Sequence, residues 1–390
     1  MTSVEDISRE APSWPEAARS IRPDPRDTAL LFIDLDALRA NYRRLRDMAP
    51  NAETSAVLKA NGYGVGALPC ARAFAEDGCR TFFTATLPEA LEVRAAMPEA
   101  VIYVLDGLAP GASEHFARAG LRPVLGDLGE IEEWAGYCRA TGFSGEAAVH
   151  VDTGFNRLGL DMAGVQALAA RPDWLGAFEL SLVMSHLACA DTYDHPKTAV
   201  QTARFDEMRA LLPDAPASLA ASGGIQLGPR YHYDLTRPGV ALYGGKALEG
   251  APPMNPVVTL LARIATVREA EAGETVGYGA ERTLTRRSCI ALVTVGYADG
   301  YFRLYGSSDT REGAYGYVGA HRVPVLGRVS MDLVAFDVTD VPPPLVARGG
   351  WIELLGPHQT VDELAARAYT VGYEVLTSLG PRYTRHYIGG

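Results

Sequence analysis

The sequence predicts an α/β chain, a (β/α)8 TIM-type barrel followed by a C-terminal, mainly antiparallel β domain. Two observations carry this. From about Leu30 onward, eight short apolar runs, "TSAVLKA", "CRTFFTAT", "VIYVLDGL", "LRPVLGD", "EAAVHVDT", "ELSLVMSHL", "ASLAAS" and "DLTRPGVALYG", mark strands separated by amphipathic stretches. Parallel strands need a crossover helix before they pair again, so this alternation is the signature of βα units. After about Gly250 the texture changes to β-branched runs with turn punctuation, the composition of an antiparallel domain.

The elements follow in order. Between the barrel strands, "LPCARAFAEDG", "LPEALEVRAAM", "ASEHFARAG", "LGEIEEWAGYCRATG" and "AVQTARFDEMRALL" repeat apolar residues at helical spacing. In the β domain, "VVTLLARIATV", "CIALVTVGYA", "HRVPVLGRVSMDLVAFDV" and "GGWIELLG" read as strands and "TVDELAARAYTV" as the one clear helix. The length of 390 residues suits two domains. The expected division is a flexible or loosely docked arm over 1–27, a barrel over 28–250 and a β domain over 251–390.

Composition excludes several function classes. A net charge of −11 and the lack of a Lys/Arg stripe argue against nucleic acid as a partner. Cys70, Cys79, Cys138, Cys189 and Cys289 are scattered without a C-x-x-C pair, so neither a disulfide framework nor a metal site is expected. No apolar stretch is long enough for a membrane span, and the polar, proline-bearing N-terminus lacks a signal peptide's apolar core. The expected setting is the cytoplasm.

Chemistry concentrates at the strand ends. Residues at the C-terminal ends of barrel strands face the active-site mouth. Lys59 ends the run Ala56-Val57-Leu58 and precedes a small turn, Asn61-Gly62-Tyr63-Gly64. Alone it reads as a snorkelling surface lysine, and its company changes that. Arg157 in "VHVDTGFNRLGL", His186 in "MSHLACAD", Ser222 in "ASGG" and Arg237 in "RPGVALYG" fall on the same predicted rim. The "ASGG" turn offers a hydroxyl and backbone N–H groups to phosphate oxygens.

Taken together, "AVLKANGYGVG", "HVDTGFNRLGL", "MSHLACAD", "LTRPGVALYG", "VGYADGYFR", "GRVSMD" and "GYEVLTSLGPRYTR" are similar, in order and spacing, to the motifs of alanine racemases, fold type III pyridoxal-phosphate enzymes. The resemblance implies pyridoxal 5'-phosphate as cofactor, with Lys59 as the Schiff-base lysine and one of two bases. Tyr297 resembles the second base, acting on the L-alanine side while Lys59 serves the D-alanine side. His186 and Arg237 resemble the groups that tune Tyr297, and Arg237 the one that faces the pyridine nitrogen, where a permanent cation disfavours ring protonation. Tyr63, Ser222, Tyr373 and the backbone at Gly239 and Val240 resemble the phosphate ligands. Arg157 resembles the contact to the cofactor's phenolic oxygen and the substrate carboxylate, and Met331, with Asp332, the segment that closes over the substrate. In the family the tyrosine comes from a neighbouring subunit, which implies an obligate head-to-tail homodimer.

The match departs at named positions. His150 stands where many members carry a lysine, often carbamylated, that holds the catalytic arginine. Arg157 must then be oriented by something else, the imidazole or a bound anion. Ala221 replaces an asparagine before the phosphate serine, and Gly62 and Val65 replace an alanine and a histidine. Three rivals stand beside an alanine racemase: a serine or broad-specificity racemase, a fold type III decarboxylase, and a non-catalytic pyridoxal-phosphate carrier. Arg237 and the cysteine-free "VGYADGYFR" speak against the decarboxylase, and the β domain with Tyr297 against the carrier.

Overall fold

The computed structural model describes residues 21–389. These form two compact units, one of residues 38–242 and 246–254, the other of residues 21–37, 243–245 and 255–389. Strand β1 (Ala29–Asp34) leads into the helix Leu35–Met48, along which the chain passes from the second unit to the first.

The first unit is the barrel. Strands β2 (Glu53–Thr54) and β3 (Ala56–Val57) are one strand interrupted at Ser55. Next come β4 (Thr81–Thr84), β5 (Val101–Val104), β6 (Arg122–Leu125), β7 (Glu146–His150), β8 (Glu179–Met184) and β9 (Ala217–Ser218), paired in that order from β3 and all parallel. The ring closes through β10 (Leu235–Thr236). It pairs with β2, Val57 N–H donates to Pro238 O at 3.1 Å, and Arg237 N–H donates to Ala220 O at 2.9 Å. Burial on both faces explains why these strands read as continuous apolar runs. The helices Ala67–Glu76, Leu87–Ala96, Ser113–Ala119, Leu128–Thr141 and Pro196–Arg209 lie where the periodicity places them. Thr86 with Glu89, and Asp127 with Glu130, start two of them as capping boxes.

The second unit holds β11 (Val258–Ala270), β12 (Thr275–Val276), β13 (Arg282–Thr283), β14 (Ser288–Val293), β15 (Tyr315–Val318), β16 (His321–Leu326), β17 (Val334–Asp337), β18 (Trp351–Leu355) and β19 (Thr384–Ile388). The order β14-β17-β16-β15-β18-β11, with β11 also paired to β14, closes an antiparallel ring, and the helix Val361–Arg367 matches "TVDELAARAYTV". Strand β1 belongs here, antiparallel to β11 and parallel to β19.

The apolar run of β1 is covered by β11 and β19, so the compact β unit takes residues up to 37. Within the expected arm, Thr384 donates its hydroxyl to Asp27 at 2.7 Å and Arg263 donates to Asp24 O at 2.8 Å, which docks residues 24–27 on the same unit. Residues 1–20 of that arm lie outside the described residues.

Candidate active site

Directly after β3, the chain makes a left-handed turn. Ala60, Asn61, Gly62, Tyr63 and Gly64 have φ of 54°, 53°, 61°, 53° and 81°. L-residues in this region cost roughly 1–2 kcal/mol each, so the surroundings must hold them. Gly62 N–H donates to Leu58 O at 2.7 Å and Gly64 N–H to Ala60 O at 2.8 Å. Asn61 Oδ1 accepts from Ala67 N–H at 3.0 Å, and Glu89 Oε1 accepts from Ala60 N–H at 2.7 Å. The lysine at the root of this turn is thereby fixed at the rim. Burial, then the nearby Arg157, lowers the Lys59 amine below the ordinary lysine value; Asp106 and Glu89 oppose the shift, and Arg237 adds to it.

Beyond β7, the loop carrying Arg157 is clamped by Asp152, whose Oδ1 accepts N–H groups from Gly154 at 2.9 Å, Phe155 at 2.8 Å and Asn156 at 3.1 Å. Gly159 is required because a Cβ there would lie 2.7 Å from Asp152 N. The Arg157 guanidinium lies 4.1 Å over the Phe155 ring, and that ring meets His186 edge-on at 5.6 Å.

His150, at the end of β7, is buried, and burial followed by Arg237 and Arg157 pushes its imidazole down to about 4. His186, just past β8, is pushed down to about 3 by burial, Arg237 and Arg157. Both rings are neutral at pH 7. Among the described residues no hydrogen bond joins His150 to Arg157.

Arg237 is buried, donating from Nη1 to Ser218 Oγ and from Nη2 to Ser185 O at 2.6 Å. Burial pushes it down to about 9, still protonated at neutral pH. Beside it, Ser222 Oγ accepts from Gly239 N–H at 2.8 Å and Ala241 N–H at 3.3 Å, which leaves its own proton to donate. Ser222 starts a short helix, Ser222–Leu227, whose N-cap, Ala221, provides no side-chain acceptor. Tyr63 packs its hydroxyl against Gly239 so closely that a Cβ there would lie 2.2 Å away, and Val240, buried, opens the next helical turn.

These groups fit pyridoxal phosphate. Hydroxyls of Ser222 and Tyr63 with uncapped N–H groups suit a phosphate, the Lys59 amine suits an aldehyde, and two arginines suit anionic substituents.

The β unit gathers the remaining candidates. Tyr297 opens the turn Tyr297–Asp299, where Tyr297 N–H donates to Ser330 O and Ala298 N–H to Met331 O, both at 3.0 Å. Asp299 Oδ2 accepts from Gly296 N–H at 2.9 Å. Tyr373 lies in the helix Gly372–Thr377; a Cβ on Gly300 would lie 1.8 Å from Ser378 O, so the chain just after that helix abuts the Tyr297 turn. Tyr297, Met331 and Tyr373 are exposed, at 43%, 53% and 41%. The barrel unit thus brings together Lys59, Tyr63, Arg157, His186, Ser222, Arg237, Gly239 and Val240, and the β unit Tyr297, Met331 and Tyr373.

Sequence reading missed four participants: Glu89, Phe155, Asp299 and Arg382. The T-x-x-E of "TLPE" announces Glu89 as a capping residue. Phe155 lies inside a recognised motif whose spacing does not reveal which ring face is used. Asp299 and Arg382 meet only through the fold. Among the described residues no His/Cys/Asp/Glu group could hold a metal ion, and no helix is long and apolar enough to cross a membrane.

Comparison with known proteins gives the chain its family. Residues 33–247 match the family model "Alanine racemase, N-terminal domain" and residues 257–387 match "Alanine racemase, C-terminal domain". The chain is 49% identical over 363 residues to an alanine racemase of Methylobacterium nodulans, covering 93% of this chain and 96% of that one. It is 45% identical over 366 residues to a catabolic alanine racemase of Mesorhizobium japonicum, covering 93% and 94%. The crystal structure of alanine racemase from Bartonella henselae with covalently bound pyridoxal phosphate superposes with a TM-score of 0.88 at 38% identity, covering 93% of this chain and 99% of that one.

Proposed function

The chain belongs to the alanine racemase family, and from that premise we propose that Lys59 and Tyr297 exchange the α-proton of alanine from opposite faces. The enzyme is a pyridoxal-phosphate-dependent racemase interconverting L- and D-alanine. When bound, the cofactor supplies the electron sink without which an amino acid's α-proton is too weakly acidic for a side-chain base. The remaining work falls to the chain.

Lys59 would hold the cofactor, and its Nζ would take or return the proton on the D-alanine side. The observation that carries this is its position: a strand-end amine whose charged form is disfavoured by burial and by Arg157. Tyr297 Oη serves the L-alanine side. Arg237, fixed by Ser218 and Ser185, is assigned to the pyridine nitrogen, where a protonated guanidinium has no lone pair to accept a proton and no proton to spare. His186, neutral, lies within its electrostatic reach. Ser222, Tyr63, Tyr373 and the backbone at Gly239 and Val240 hold the phosphate. Arg157 takes the substrate carboxylate, and Met331 with Asp332 covers the small side chain.

A head-to-tail homodimer, with Tyr297 supplied across the interface, is supported by the large exposed side chains Tyr297, Leu304, Met331, Leu333, Val371 and Tyr373 on the β unit. A cytoplasmic setting is supported by the free cysteines.

Borohydride treatment of the yellow protein followed by peptide mapping tests the central assignment: label on Lys59 is expected, and label on another lysine overturns it. Chiral chromatography of L-alanine and L-serine incubations reads the product. Alanine is expected to racemise, and Tyr297→Phe to abolish turnover while the protein stays coloured; a Phe variant of undiminished activity removes Tyr297 as a base.

A further inference from the structure

We propose that Phe155 is the positioning residue for Arg157, its ring face aiming the guanidinium at the substrate carboxylate; this rests on the assignment of Arg157 to that carboxylate. Every charged or basic group near Arg157 is unsuited to hold it. Burial, then Arg237 and Arg157, depresses both His150 and His186, and among the described residues no hydrogen bond joins either imidazole to the guanidinium. Asp152 is the carboxylate of the same loop, but its Oδ1 already accepts from Gly154, Phe155 and Asn156, and its Oδ2 from Asn156 at 3.0 Å. Among the described residues no ion pair or hydrogen bond reaches the guanidinium. Its close partner is the Phe155 face, 4.1 Å from Cζ.

The ring is itself held. Its backbone N–H is one of those bound by Asp152, and its edge abuts His186 at 5.6 Å with an interplanar angle of 60°. One aromatic ring thus joins the strand-end histidine to the arginine.

The chemistry favours this over a salt bridge. A carboxylate partner would occupy the fork of N–H donors and cancel the charge. An aromatic face attracts a guanidinium through its quadrupole and leaves the donor edge free, so Arg157 is oriented with its hydrogen-bonding capacity intact.

The test uses the holoenzyme and four variants: Phe155→Leu, Phe155→Met, Phe155→Tyr and Arg157→Ala, with the double variant Phe155→Met/Arg157→Ala. Leu and Met remove the π face, and Met keeps most of the volume should Leu disturb the loop. Both are expected to raise KM for L- and D-alanine about threefold to tenfold, with kcat, visible absorbance and thermal midpoint nearly unchanged. Phe155→Tyr retains the wild-type KM. Propionate, which is alanine without its amine, reports carboxylate binding without turnover: by calorimetry its Kd rises by the same factor. Arg157→Ala raises KM and the propionate Kd further, and adding Phe155→Met to it changes neither again. If Arg157→Ala weakens both while the Leu and Met variants leave both unchanged, or if the two substitutions are additive, Phe155 is not the positioning group although the Arg157 assignment stands. If Arg157→Ala leaves alanine and propionate binding unchanged, the assignment of Arg157 fails and the proposal with it.

Discussion

Arg382 Nε lies 2.5 Å from the buried Asp299 Oδ1, while Arg382 Nη1 lies 2.8 Å from Asp332 Oδ1. One guanidinium therefore ties the turn that presents Tyr297 to the loop that presents Met331. Arg382→Ala is expected to lower kcat about tenfold to a hundredfold, since small misplacement of a proton-transfer group has costs of that order. The cofactor absorbance should stay. Because the loosened group serves one face, the α-deuterium isotope effect should rise more with L-alanine than with D-alanine. Equal isotope effects would separate Arg382 from Tyr297.

Gly239→Ala tests the phosphate cradle. The added Cβ would lie 2.2 Å from the Tyr63 hydroxyl oxygen but 3.0 Å from the ring carbon behind it. Cofactor affinity should fall about tenfold, on the order of one lost charge-assisted hydrogen bond; Tyr63→Phe, which deletes the same hydroxyl, should lower it by a similar factor, and the double variant should lose little more than either alone. Titration of cofactor-free protein, followed by visible absorbance, decides it.

Glu89 does two jobs: Oε1 accepts from Ala60 N–H, and Oε2 from Ala85 N–H at 2.9 Å and Thr86 N–H at 3.3 Å. Glu89→Ala removes a helix cap and unmoors the left-handed turn beside Lys59. A loss of about 1–2 kcal/mol is expected by urea unfolding of the holoenzyme, and Glu89→Gln should lose less. A silent Ala variant would mean the turn is held from elsewhere.

The neutral histidines set an acid limit. His150 and His186 fall to about 4 and about 3 in the folded protein, below the ordinary 6.5. Between those values and 6.5 the unfolded chain binds more protons, so stability rises with pH. The contribution is complete above about 6.5 and is lost as pH falls toward 4 and then 3. Cofactor-free protein should lose about 1–2 kcal/mol per histidine between pH 7 and pH 5. His150→Gln should flatten that slope, and an unchanged slope would put the proton elsewhere.

Much of the fold and part of the site were legible because their signals are local. Strands β3 to β10 are buried on both faces and spell short apolar runs; Lys59, His186 and Arg237 follow within two residues, and Arg157 lies in the loop after β7. The place of β1 was not legible: "ALLFID" suits a barrel strand as well as a sheet edge, and only its pairing with β11 and β19 decides. The positive φ of Ala60 and Asn61 was hidden as well, since neither residue advertises it as a glycine does. Arg382 and Asp299 stand far apart in the chain, and their meeting depends on β19 returning to the sheet.

The pairing of β1 with β19 also bears on biosynthesis. The barrel strands are complete well before β19 emerges from the ribosome, whereas β1, which precedes them all, gains its second neighbour only with β19. Until then β1 has β11 on one side only and an apolar edge stays open on the other, the kind of edge that recruits chaperones or aggregates. Nascent chains stalled before β19 should accordingly have a protease-resistant barrel and a labile β1, and maturation should be gated by the arrival of β19.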